Sequence, residues 1–219
     1  MDDLIQTIAV YALPVLFAIT LHEAAHAYAA RYFGDATAYL QGRMSLNPAK
    51  HIDPFGTIII PVLLYIATSG AFLFGYAKPV PIDYRNLRKP KRDMAWVALA
   101  GPAANFVMAL LWMILSMLLI AAGVREVFFI RMAEAGILTN LVVFAFNLFP
   151  IPPLDGGRIL TSMLPHRYAY KFAQIEPYGF FILLALVMLK VLYFWVIPVM
   201  SVADIALRLI TYPLKILLS

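Results

Sequence analysis

Residues 18–29 read AITLHEAAHAYA. They sit inside an apolar run from Leu4 to Phe33, where lipid would favour leucine. His22 and His26 are four positions apart, so on a helix they lie one turn apart on one face. From that face two imidazoles can grip one metal ion. Glu23 projects beside them, close enough to handle a water on that ion. The plainer reading is a pair of packed histidines in a helix bundle. It is the weaker one, because ionisable groups in an apolar span are costly and usually functional.

The surrounding chain fits a membrane setting. Its 219 residues are 63% hydrophobic and 13% charged, a balance of a polytopic membrane protein and not of a soluble domain. The length suits one compact bundle, so residues 1–219 are expected to form a single domain. Its core would be about 4–160, followed by C-terminal helices at 178–218. There is no cysteine, which removes disulfides and thiolate chemistry. The start, MDDLIQT, is acidic and lacks a signal peptide's positive leader, so the first apolar run is expected to be retained. The net charge of +5 is read as membrane orientation, not nucleic-acid binding.

A span needs roughly 20 apolar residues. Five segments approach this: Leu4–Phe33, Pro54–Tyr76, Met94–Val124, Ala135–Phe149 (which can start as early as Val127), and Tyr178–Leu218. The last is long enough for two helices, with a break expected near Pro198. The expected fold is therefore all-α and polytopic, with about six hydrophobic helices. Two irregular parts accompany it. Residues 36–47 read as a short β-hairpin turning near Gln41 and Gly42. Residues 75–83, with Pro79 and Pro81, read as an extended return after a re-entrant second segment. Lys78, Arg85, Arg88, Lys89, Lys91 and Arg92 mark that loop as cytoplasmic.

Two metal ligands are too few, since a catalytic zinc site keeps three protein ligands and one open position. His51 and His166 lie in polar, interfacial stretches. Asp155 is the better candidate. It lies in NLFPIPPLDGGR, residues 147–158, where Pro150, Pro152 and Pro153 stop the fourth helix. Gly156 and Gly157 then allow backbone angles that other residues resist. Irregular backbone at membrane depth survives only where it is buried or lines a wet cavity.

HExxH early in an apolar helix, with a later N-x-x-P-x-P-x-L-D-G-G, resembles the site-2 protease family of intramembrane zinc metalloproteases. GYAKPVP and ALAGPAANF, residues 75–81 and 98–106, are similar to that family's intervening segments. The resemblance spans about residues 8–160. It implies one zinc ion held by His22, His26 and Asp155, with Glu23 as catalytic base. Asn147 would contact substrate or help hold the oxyanion. Many relatives carry a PDZ or CBS domain, for which this chain has no room. The implied activity is hydrolysis of peptide bonds of single-span membrane proteins within or near the bilayer, as in regulated intramembrane proteolysis. The implied place is a prokaryotic plasma membrane, with no nucleic-acid partner.

Crossing parity bears on the layout. The HExxH helix ends near Gly34, and Asp155 follows the fourth segment. Both must approach one side, taken as cytoplasmic, so residues 34–53 and 85–92 are expected there together. Asn105 reads as helix-to-helix glue, and Lys190 as a snorkelling cation. Tyr193, Trp195 and Tyr212 read as interfacial aromatics. The alternative function is a non-proteolytic metal protein or transporter that uses the same His/His/Asp set and does not need Glu23.

Overall fold

The computed structural model describes residues 2–59, 63 and 78–218. Its helices are α1 (Asp2–Phe33), α2 (Thr37–Leu40), α3 (Pro90–Ala121), α4 (Val127–Asn147), α5 (Asp155–Met163), α6 (His166–Ala173), α7 (Gly179–Met188) and α8 (Tyr193–Leu218). Short 3₁₀ turns occupy Pro48–Lys50, Tyr84–Asn86 and Glu176–Tyr178. Among the described residues, five stretches are long and apolar enough to cross a membrane: Ile5–Phe33, Pro90–Ala121, Val127–Asn147, His166–Met188 and Tyr193–Leu218.

The burial pattern is that of a protein whose solvent is lipid. Ala18, Ala27, Ala30, Ala109, Ala133 and Ala145 are among the buried residues, together with Asn105 and Asn140. The outside carries the large apolar side chains, such as Phe194, Leu209 and Leu217. Small residues let helix backbones approach closely where no hydrophobic force drives helices together. So α1, α3 and α4 pack on one another, α5 lies against α3, and α8 crosses α3 and α4. A core of Ala109, Met113, Leu141, Ala203 and Leu207 holds α8 in place.

Helix ends bring the polar segments to one end of the bundle. At Gly34, φ is +117°, a conformation that L side chains rarely adopt. The N–H of Asp35 then closes on Ala30 C=O, which stops α1. Beyond it, Arg88 N–H donates to Phe33 C=O and Lys78 N–H donates to His51 C=O. The chain is therefore at this same end at residues 34–51 and again at 78–88. The helix α3 leaves from there and α4 returns, so Asp155 arrives beside the end of α1.

Several expectations are corrected. No strand occurs among the described residues, so there is no β-hairpin at 36–47. The turn at Gln41 and Gly42 is real, but one turn of helix, α2, leads into it. The reason is Asp35, whose carboxylate accepts from the Thr37 N–H and hydroxyl. Such local side-chain bonds favour turns over extended pairing. The expected count of about six helices becomes five candidate spans among the described residues. Most of the second segment, Pro54–Tyr76, lies outside those residues; its first part, Pro54–Ile59, is a π-helical turn. The C-terminal stretch breaks not at Pro198, which lies inside α8, but at Lys190. There φ is +59°, and Val191 N–H reaches back to Leu186 C=O. Lys190 is thus a helix-ending residue at an exposed turn. Proline is tolerated within membrane helices because freed backbone groups find other partners.

Candidate metal centre

The helix α1 carries His22 and His26 on the face turned toward α3. Between and beyond them, Ala24, Ala27 and Ala30 are buried and add no bulk. The helix α3 meets this face at Gly101. A Cβ there would lie 2.3 Å from His26 Nε2 and 2.6 Å from His22 Cε1. Only glycine leaves room for both rings.

Asp155 opens α5 directly after the turn that ends α4. Ile151 N–H bonds Phe149 C=O and Leu154 N–H bonds Ile151 C=O, so the proline run folds tightly. The two glycines that follow serve contact and not unusual angles, a correction to the sequence expectation. Neither has positive φ among the described glycines. A Cβ on Gly156 would stand 2.2 Å from Leu148 O, and one on Gly157 2.3 Å from the Ile151 carbonyl carbon. Backbone is stacked on backbone there, and this sets Asp155 against α1.

The result is a triangle of donor atoms. Both His22 Nε2 and His26 Nε2 lie 3.2 Å from Asp155 Oδ2, and 3.0 Å from each other. All three residues are buried. His26 Nδ1 is 2.7 Å from the Val97 carbonyl, which can only accept, so Nδ1 carries the hydrogen. His22 Nδ1 lies 2.6 Å from Asn105 Oδ1 and carries its hydrogen likewise. In the neutral rings both Nε2 atoms then present lone pairs. Asp155 Oδ2, buried, has no hydrogen-bond donor either. Three lone-pair atoms converging in a buried place repel one another unless a cation lies among them.

Zinc fits this set. A tetrahedral ion with bonds of about 2.0–2.1 Å needs donor separations of about 3.3 Å. The triangle is within a few tenths of an ångström of that. Each imidazole also donates its Nδ1–H to an oxygen acceptor, the outer arrangement that metal-binding histidines need.

Glu23 is half-buried next to His22, and its Oε2 accepts from the backbone N–H of Val80 at 2.8 Å. Val80 belongs to the non-helical strap Lys78–Asp83. The strap is anchored at several points. Arg43 donates to Lys78 C=O, and Asp83 N–H donates to Asp35 Oδ2. Next in the chain, Tyr84 takes a hydrogen bond from Arg158, whose other arm reaches Glu176. Arg158 sits one turn after Asp155, so α5 holds both the third donor and the strap.

The other candidates are not among the three donors. His51 is buried with Nε2 against Ser45 C=O, and His166 is exposed at the start of α6. Asn147 donates its amide to Val143 C=O within its own helix. Asn105, read as helix glue, bonds His22 directly. Val97 and Asn140 carried no signal of their own beyond Asn140 being a polar residue in an apolar span. Gly101 was legible only as a close-approach residue.

A helical membrane bundle with this buried donor set defines a membrane-embedded metallohydrolase. The chain belongs to peptidase family M50, whose model matches residues 10–135 and 122–190. Relatives that carry the name "Putative zinc metalloprotease" include YwhC of Bacillus subtilis (strain 168), 41% identical over 80% of this chain and 78% of its own. Rip2 of Mycolicibacterium smegmatis, under the same name, is 33% identical over 82% of this chain and 67% of its own. No solved structure gives a significant match. The chain is a zinc metalloprotease and an integral membrane protein.

Proposed function

We propose that this zinc metalloprotease hydrolyses peptide bonds of single-span membrane proteins within or near the bilayer, with His22, His26 and Asp155 as zinc ligands and Glu23 as general base. The observation that carries the reading is the donor triangle lying against the strap that touches Glu23.

Zinc, when held there, supplies Lewis acidity toward water and toward the scissile carbonyl. The protein's own residues do the rest. Glu23 removes one proton from the attacking water and delivers it to the leaving amine, so charge balances and the carboxylate is regenerated. Proton transfer of this kind contributes about 10²- to 10⁴-fold. The Val80 N–H orients that carboxylate. Asn105 and Val97 hold the imidazoles. Asn147 Nδ2 donates one of its two hydrogens to Val143 C=O, and the second is the one it would offer to substrate or to the oxyanion.

Exposed Lys78, Arg85, Arg88, Lys89 and Arg92 stand at the end of the bundle where α1 stops. This supports a cytoplasmic site by the positive-inside rule. A prokaryotic plasma membrane accords with the bacterial relatives. The test is cleavage of a single-span substrate by the purified protein in lipid, with and without chelator. Wild type should cut only with zinc present. Glu23→Gln should keep its zinc and lose cleavage; full cleavage by that variant would remove Glu23 as the general base, whereas a zinc-loaded wild type that cuts no peptide would favour the non-proteolytic alternative.

A further inference from the structure

Asn140 lies on α4 and is fully buried, yet its hydrogen bonds go to Gly136 and Asn105 and not to any of the three donor atoms. An uncharged amide pair at membrane depth is often only helix glue. The direction of each bond here says more. We propose that Asn140 is a positioning residue: acting through Asn105, it sets which ring nitrogen of His22 carries the proton, and so keeps Nε2 free for zinc. The inference rests on His22 being a zinc ligand.

The direction can be followed from an end that has no choice. Gly136 C=O can only accept, so Asn140 Nδ2 donates to it at 2.9 Å. That leaves Asn140 Oδ1 facing Asn105, whose Nδ2 donates at 2.9 Å. The same Asn105 nitrogen also donates to Ala18 C=O at 3.1 Å, a second acceptor without a choice. Asn105 Oδ1 is thereby turned to His22 Nδ1 at 2.6 Å, which must hold the hydrogen. Amide orientation is always inferred from such networks, and here two carbonyls settle it.

Turning the Asn105 amide over would aim its oxygen at Ala18 C=O and at Asn140 Oδ1 together. It would also offer Nδ2 to His22 Nδ1, driving the ring hydrogen to Nε2, where no metal can bind. Asn140 supplies one of the two repulsions that forbid this. His26 needs no such relay, since its Nδ1 meets the Val97 carbonyl directly. The first imidazole has a flippable partner, and Asn140 removes that freedom.

The full-length protein, purified in lipid with ¹⁵N-labelled histidine rings, tests this. The chain has four histidines, so His22→Gln assigns the His22 signals. In metal-free wild type, at a pH alkaline enough to leave the ring neutral, His22 should show one form, protonated at Nδ1. Asn140→Leu should show a mixture of the two tautomers and bind zinc about tenfold more weakly in chelator competition. Asn105→Leu should lose about 10- to 100-fold, the usual range for a lost outer-shell partner. Asn105→Asp, which still accepts from Nδ1, should keep the single Nδ1–H form, but its second oxygen then faces the Ala18 carbonyl and Asn140 Oδ1, so thermal stability should fall. A folded Asn140→Leu protein with a single Nδ1–H form and wild-type zinc affinity would overturn the proposal. His22→Gln binding zinc as wild type would instead overturn the ligand assignment, and the proposal with it.

Discussion

The backbone N–H of Val80 donates to Glu23 Oε2 across 57 positions of sequence, at 2.8 Å. Pro79 and Pro81 flank it and have no N–H, so within this trio only Val80 can make the bond. The strap is thus built to present one donor to one carboxylate.

Val80→Pro removes that hydrogen; because the Val80 side chain is also buried against Ala27 and Ala38, thermal stability is measured beside turnover. A hydrogen bond to a charged group is worth about 1.5–3 kcal/mol. Part of that is recovered from water at this half-buried carboxylate. Turnover should fall about three- to tenfold while zinc stoichiometry, read by metal analysis, stays at the wild-type value. Unchanged turnover would mean that the strap does not orient the base.

Glu23→Gln isolates the proton-transfer role. The rings and Asp155 are untouched, so zinc should remain. Cleavage should drop by at least about 10²-fold. A loss of zinc in this variant would make Glu23 part of the donor set.

Gly101→Ala probes how tightly α3 presses on the imidazoles. The added methyl carbon meets ring atoms at 2.3–2.6 Å, so a ring or a helix must shift. Overpacking of this kind costs about 1–3 kcal/mol, and zinc affinity should fall in proportion. Gly136→Ala is the control. Its Cβ would strike Trp112 2.3 Å away, so it should lower thermal stability with a smaller change in zinc affinity than Gly101→Ala gives.

Asp35 links strap and bundle through a pH-sensitive contact. Burial pushes its carboxyl up. The Thr37 hydroxyl, the Asn86 amide and the backbone N–H groups of Thr37 and Asp83 outweigh this and hold it below its ordinary value. A lowered folded value means that the unfolded state binds the proton more readily. The contact therefore stabilises fully above the unfolded value of about 3.9. That stabilisation disappears as pH falls further, through the lowered folded value. The protection of the Asp83 amide, its exchange rate relative to the intrinsic rate at the same pH, should fall below about pH 4. In Asp35→Asn it should be low already at neutral pH, with little acid dependence of this origin.

Much of the site was readable because metal chemistry admits few side chains. In an apolar helix, His22, Glu23 and His26 have almost no other use, and Asp155 between a proline run and a diglycine is equally conspicuous. The errors came where local grammar met tertiary context. Residues 43–47 alternate like a strand, but Asp35 had already bent the chain into a helical turn. Pro198 signals a break in water, yet the helix continues through it and ends at Lys190. Asn140 was illegible because its importance depends on Asn105 and Gly136, two partners that no single-chain pattern links. The diglycine was noticed for the wrong reason: its value is space, not torsional freedom.

The donor triangle joins a helix made early to an acid translated long afterwards. At about 5–20 residues per second, roughly ten seconds separate the emergence of His26 from that of Asp155. During that interval a nascent protease holds two ligands and no third. Until Asp155 emerges the donor triangle has two corners, so a metal grip that needs all three comes late in synthesis.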